Sequence, residues 1–327
     1  MKKLLLFVGV ALFATGSLAG AQEVRSELAD YIPDISLDMR GSYRIDSEYK
    51  SGRFTGDDLY LDINGYISPN FSYSFNHRIA STNYDEASGF DATNWLTLTY
   101  ETDNFAITAG KDALLMGSFE YDAYDLDSYF EMNSPFYNDF DCWQWGASAA
   151  WYPAEDHELI FQVAKSPVAA ESMEQVSLAL AWRGAWDWYE SYWTANMWQY
   201  DTKAFTKAFN SGNRFTFGGL VIDLDLMFRL NHPEEENWGF TGIFAPSYTF
   251  GEWGRIFTKA GWDKETDNCF FGGGFEYFPL KDNKDIRFHI AYTHNDDDEF
   301  GDVVRLGLTW KMNLTGNIKK LFGATED

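Results

Sequence analysis

DVVRLGLTWKM, residues 302–312, alternates without a slip. Val304, Leu306, Leu308, Trp310 and Met312 share one parity, and Arg305, Gly307, Thr309 and Lys311 share the other. Successive side chains of an extended strand point to opposite faces. The stretch therefore specifies a ribbon with one apolar face and one polar face.

The pattern recurs along the chain. In DDLYLDINGYIS, Leu59, Leu61, Ile63 and Ile67 are apolar against Tyr60, Asp62 and Asn64. NFSYSFNHRIA sets Phe71, Tyr73, Phe75 and Ile79 against Ser72, Ser74, Asn76 and Arg78. GLVIDLDLMFRL sets Leu220, Ile222, Leu224, Leu226, Phe228 and Leu230 against Asp223, Asp225 and Arg229. QVSLALAWRG and DIRFHIAYTH read the same way. About sixteen such strands are predicted, starting near residues 35, 54, 70, 92, 104, 142, 157, 174, 187, 203, 219, 238, 254, 269, 285 and 302. Their connections alternate between tight turns (68–70, 102–104, 153–157, 279–285) and a second set, often longer and rich in acid or Gly (80–91, 111–141, 201–202 with its flanks, 231–237, 264–268, 294–301).

Two architectures use such strands. A β-sandwich hides one face in a dry core. A transmembrane antiparallel β-barrel turns its apolar face to lipid and its polar face to a water-filled lumen. Strands of about ten residues, alternating turn lengths and an even strand number favour the barrel. So does the expected girdle of Trp95, Tyr100, Trp143, Trp151, Trp182 and Trp310. The competing reading is a secreted or surface carbohydrate-binding β-sandwich. A third, a barrel enzyme, would need a Ser/His/acid set at one rim, and the sequence presents none.

The N-terminus reads as a signal peptide over residues 1–21: Met1-Lys2-Lys3, an apolar run from Leu4 to Ala14, then small residues up to Ala21. A short periplasmic segment (22–34), the barrel (35–314) and a C-terminal tail (315–327) are expected to follow, which places the protein in the bacterial outer membrane. The formal net charge is -25. An acidic chain lacks the basic face that phosphate backbones need, so nucleic acid is excluded as a partner. Cys142 and Cys269 are too few for a disulfide framework and have no zinc-ligand spacing around them, so no metal and no cofactor is expected. NDDDEFGD (295–302) lacks the spacing of a calcium loop.

The polar parity collects Arg40, Arg44, Arg78, Arg183, Arg229, Lys259, Arg287, Arg305 and Lys311, a candidate pore lining. The longest connection, Lys111 to Asp141, interleaves acids with aromatics. It follows the fifth strand and is the third loop on its side. A loop of that length is usually functional. We expect it to fold inward as a constriction, with Glu120, Asp122, Asp125, Asp127 and Glu131 facing part of the arginine column.

GRFTGDDLYLDINGYISPNFSYSFNHRI and FAITAGKDALLMGSFEYDAYDLDSYFEMNSPFYNDFDCWQWGAS resemble the second and third strands, and the constriction loop with its flanking strands, of phosphate-selective-type porins of Bacteroidetes-like outer membranes. The resemblance implies a sixteen-stranded barrel, commonly a homotrimer, that passes small hydrophilic solutes or ions without a reaction. It also implies an arginine ladder. The acidic loop, with Lys111 only at its edge, departs from the phosphate-type pattern.

Overall fold

The computed structural model describes residues 31–46, 52–81, 90–130, 140–168, 175–231, 238–281, 283–296 and 301–316. The expected signal peptide, most of the segment after it and the tail beyond 316 lie outside the described residues, as does most of NDDDEFGD.

Sixteen strands form one sheet. The first eight are β1 (Asp34–Asp46), β2 (Gly52–Ser68), β3 (Phe71–Ser81), β4 (Thr93–Glu101), β5 (Phe105–Ala113), β6 (Trp143–Ala154), β7 (His157–Lys165) and β8 (Val176–Trp186). The rest are β9 (Tyr189–Asp201), β10 (Ala204–Phe217), β11 (Leu220–Leu230), β12 (Trp238–Phe250), β13 (Gly254–Asp263), β14 (Asn268–Tyr277), β15 (Ile286–Asn295) and β16 (Val303–Asn313). Every expected strand start falls within two residues of an observed one.

Each strand pairs antiparallel with its sequence neighbours, and β1 pairs with β16 to close a barrel. The closing ladder runs from Ser36 opposite Asn313 to Asp46 opposite Val303. Thr315 reinforces the seam: its hydroxyl accepts from the Ile35 amide at 2.6 Å, while the Leu314 amide donates to the Ile35 carbonyl at 2.8 Å. A single closed ring with an interior replaces the sandwich reading, which requires two stacked sheets. No disulfide joins Cys142 to Cys269.

Burial is inverted relative to a water-soluble domain. Leu180, Phe228, Phe288, Ile290 and Leu306 all lie exposed on the outside. Asn76, Asn210, Thr241, Asp263 and Arg229 are fully enclosed on the inside. Outward aromatics gather near both strand ends. Phe71–Tyr100 (4.9 Å between ring centroids), Trp188–Phe217 (6.1 Å) and Phe250–Trp253 (5.7 Å) lie at the short-turn end. Tyr43–Phe54 (4.9 Å), Phe90–Trp145 (5.8 Å) and Phe228–Phe240 (4.8 Å) lie at the long-loop end.

Two expected girdle residues are corrected. Trp95 faces inward, its indole donating to Ser74 Oγ at 2.7 Å. The cause is strand parity: Trp95 stands opposite the enclosed Asn76 and on the face opposite to the exposed Leu96 and Leu98, and the register shift comes only beyond it, between Asn76 and His77. Trp143, the first residue of β6, packs on Trp95 at 5.3 Å rather than joining the outer belt.

Candidate functional site: a loop bolted across the lumen

The chain leaves β5 at Ala113 and turns into the barrel. The Leu114 amide donates to the Cys142 carbonyl at 2.9 Å, which zips the two stems of the loop together. Gln162 of β7 brackets the turn, accepting from the Leu115 amide at 3.0 Å and donating to the Ala113 carbonyl at 2.9 Å. Leu114, Met116 and Phe140 then pack into a small apolar core with Trp198, Met227, Ile243 and Phe270, which project inward from β9, β11, β12 and β14. Here the interior wall is greasy. The sequence held the signal, because these four residues interrupt the polar parity of their strands.

Gly117 makes the next bend at φ +64°. A Cβ there would lie 2.7 Å from Thr194 Oγ1 and 2.9 Å from the Thr194 amide nitrogen. Only glycine combines this backbone conformation with such a close approach. Beyond it Asp225 gathers the chain: its carboxylate accepts from Ser118 Oγ at 2.7 Å and from the Glu120 amide at 2.9 Å.

The loop then meets one wall cation after another. Glu120 pairs with Lys259 of β13, whose ammonium also donates to the Phe130 carbonyl at 2.9 Å. Asp122 pairs with Arg183 of β8 at 2.7 Å. Asp127, at the end of the 3-10 turn Asp125–Asp127, pairs with Arg287 and, at 3.1 Å, with Lys311. Arg40 donates to the Ser128 carbonyl at 2.7 Å, and Arg287 to the Leu126 carbonyl at 2.7 Å. Tyr129 donates to Glu276 at 2.5 Å and accepts from Arg287 at 3.2 Å.

Five of the nine candidate lining cations, Arg40, Arg183, Lys259, Arg287 and Lys311, thus hold the loop. Arg229 is locked in the wall to Asp263 (3.1 Å) and Thr241 (2.7 Å). Arg78 donates to Asn94 at 3.0 Å. Arg44 lies 3.5 Å from Asp46, and Arg305 stands opposite Arg44 in the closing ladder. Glu131 lies outside the described residues. The sequence reading missed Arg214, bidentate to Asp223 at 2.7 and 3.0 Å, and Arg255, 2.6 Å from Glu276. It also missed Asp57 and Asp58, which engage Arg40. Each is on the inward face, but cross-strand partnership is set by register, which alternation alone does not reveal.

The loop divides the interior. A chamber of about 410 Å³ lies against β1, β2 and β4–β6, and another of about 480 Å³ against β8–β13. Glu120, Asp122, Ala123, Tyr124 and Ser128 border both. This segment is the partition. A third space of about 690 Å³ opens near the short turns and shares Phe119 and Arg183 with the second.

Asp122 and Asp127 respond differently to burial. Burial pushes the Asp122 carboxyl up, against the pull of Arg183. Burial also opposes ionisation of Asp127, but Arg287 and Lys311 together outweigh it and hold that carboxyl below 3.8. A depressed carboxyl pKa supplies stability that is present above its unfolded value and is lost as pH falls through the folded one. The Asp127 anchor is therefore expected to persist through neutral and mildly acidic pH and to fail only as pH falls below the ordinary carboxylate range. Protease cleavage within residues 114–130 of the folded barrel checks this: flat over the upper range, rising in the lower. Gly117→Ala should weaken loop seating by about 1–3 kcal/mol and speed the same cleavage at neutral pH, with the barrel strands still protected.

No protein-family model and no curated protein matches the sequence. Solved structures do. A loop-deletion mutant of OmpT, an outer membrane protein of Vibrio cholerae, superposes with a TM-score of 0.61 at 11% identity, over 86% of this chain and 100% of that one. The outer membrane channel DcaP of Acinetobacter baumannii gives 0.62 at 10% identity, over 86% and 96%. Salmonella typhi OmpF, solved with daunomycin, gives 0.61 at 11% identity, over 87% and 98%. At these identities the likeness is one of fold: the chain has the closed antiparallel barrel of outer-membrane channels.

Proposed function

We propose that this protein is an outer-membrane porin, a water-filled channel for passive diffusion of small hydrophilic solutes or ions. The observation that carries the reading is the inverted burial: an apolar outside suited to hydrocarbon around a charged interior crossed by a tethered loop. A barrel of about sixteen strands encloses an aqueous channel. The partition formed by Glu120 to Tyr124 is the constriction, and no covalent chemistry is needed.

The phosphate-selective form of this reading is the weaker one. It calls for arginines left open to an anion, whereas Arg40, Arg229 and Arg287 each engage a carboxylate. Acids at the partition favour a modest preference for cations. The sequence resemblance adds a homotrimer in the outer membrane, which the mass of the detergent-solubilised particle measures.

Planar-bilayer reconstitution is the direct test. Stepwise conductance is expected, with a reversal potential of cation-selective sign under a salt gradient. An electrically silent protein would overturn the reading. Deleting Leu115 to Asn133 should enlarge the single-channel step, and an unchanged step would remove the constriction. On the outer face, Leu180→Arg places a charge near mid-strand and should cost about 2–4 kcal/mol of folding stability in lipid vesicles, with Leu180→Ala costing less, as read by urea unfolding.

A further inference from the structure

The chamber against β1, β2 and β4–β6 is not a plain stretch of water-filled pore. Trp95 and Trp143 pack together on one side of it, with rings 5.3 Å apart and tilted by 44°. Tyr124, Glu120 and Asp122 of the partition and the carboxylates of Asp38 and Asp62 also line it. No Lys or Arg is among the described residues that line it.

Its polar groups are unevenly committed. The Trp95 indole donates to Ser74, the Asn94 amide to Asn76 at 2.8 Å and the Tyr124 hydroxyl to Asp38 Oδ2 at 3.3 Å. These donors are spent. The acceptors are not. Asp38 is more than nine-tenths buried, with the Ser36 hydroxyl as its neighbour on the same strand face, and its Oδ1 accepts no hydrogen bond of normal geometry. Lys311 stands opposite Asp38 in the closing ladder, yet its ammonium pairs with Asp127 and lies 5.1 Å from the Tyr124 ring. Asp62 takes its hydrogen bonds from the neutral amides of Asn64 and Asn76. A buried carboxylate oxygen without a donor is costly unless something else supplies one.

We propose that this chamber is a transit binding site for small organic cations, in which an ammonium or guanidinium group meets Asp38 and Asp62 while an apolar body rests on Trp95 and Trp143. The inference rests on the porin reading for the route by which the cation arrives. Indole faces attract cations, and the attraction grows where water is excluded. A sugar would also stack on the tryptophans, but it needs donors as well as acceptors from the wall. An organic anion would meet two carboxylates.

Phenyltrimethylammonium, benzenesulfonate and maltose serve as matched probes of single-channel current. Phenyltrimethylammonium is expected to interrupt the current in a saturable way, and the other two are not. Asp38→Asn and Trp95→Ala should each raise its half-blocking concentration about tenfold, with Trp95→Phe recovering part of the loss. Equal block by benzenesulfonate, block by maltose alone, or an unchanged half-blocking concentration in Asp38→Asn overturns the proposal while leaving the channel intact. An electrically silent protein would instead remove the porin reading. Equilibrium dialysis of labelled phenyltrimethylammonium against the folded barrel in detergent then tests the chamber by itself: binding lost in Asp38→Asn upholds it, and no binding to the parent protein ends it.

Discussion

An apolar surface around a sheet is tolerable in hydrocarbon only if the sheet has no edge. Unpaired backbone amides and carbonyls cost several kcal/mol each where water is absent. Here the β1–β16 ladder supplies the missing partners, and the rest of the architecture depends on it. Closure gives every strand two neighbours and divides every residue between an outside and an inside. From that division follow the exposed Leu306 and Phe228 and the enclosed Arg229 and Asp263. The seam extends past the last strand, where the Leu314 amide and Thr315 hydroxyl still bond to the start of β1.

A wide ring leaves a second difficulty, since sixteen strands enclose more space than wall side chains fill. The loop after β5 occupies it, and its seating mixes two kinds of force. Near its stems, Leu114, Met116 and Phe140 dock on inward apolar residues, which supplies non-directional attraction. Farther along, charge pairs and carbonyl contacts set its position. Buried ion pairs are a poor source of net stability, because desolvation offsets much of the Coulomb gain. Their value is directional: Asp127 between Arg287 and Lys311, and Glu120 on Lys259, fix where the peptide crosses the lumen. Instead of facing arginines across an open gap, the acids touch the wall.

Strand number, starts and facing were legible in the sequence because each depends on a local rule, the period of two. Arg287 and Asp225 could be put inside from their neighbours alone. The failures have local causes as well. Trp95 and Tyr100 are five residues apart and cannot share a face of one regular strand, so assigning both to the girdle ignored parity, and parity alone places Trp95 inside opposite Asn76. Trp143 lies at a strand end, where alternation no longer fixes a ring. The pairing of Arg214 with Asp223 needs the β10–β11 register. The landing of Glu120 on Lys259 depends on how the strands from β6 to β13 curve round, because 139 residues separate the two.

Selectivity in such a channel is set less by how many charges line it than by which remain available. Most inward arginines are balanced by a partner in the wall or the loop, so their fields fall off steeply for a passing ion. Groups without such balance act at longer range. Asp38 is only partly balanced: Tyr124 donates to it, and its ladder partner Lys311 is shared with Asp127. One loop residue thus does two things: Asp127 anchors the partition and draws in Lys311, the ladder partner of the buried Asp38. Loop position and the charge beside Asp38 are therefore linked through a single ammonium.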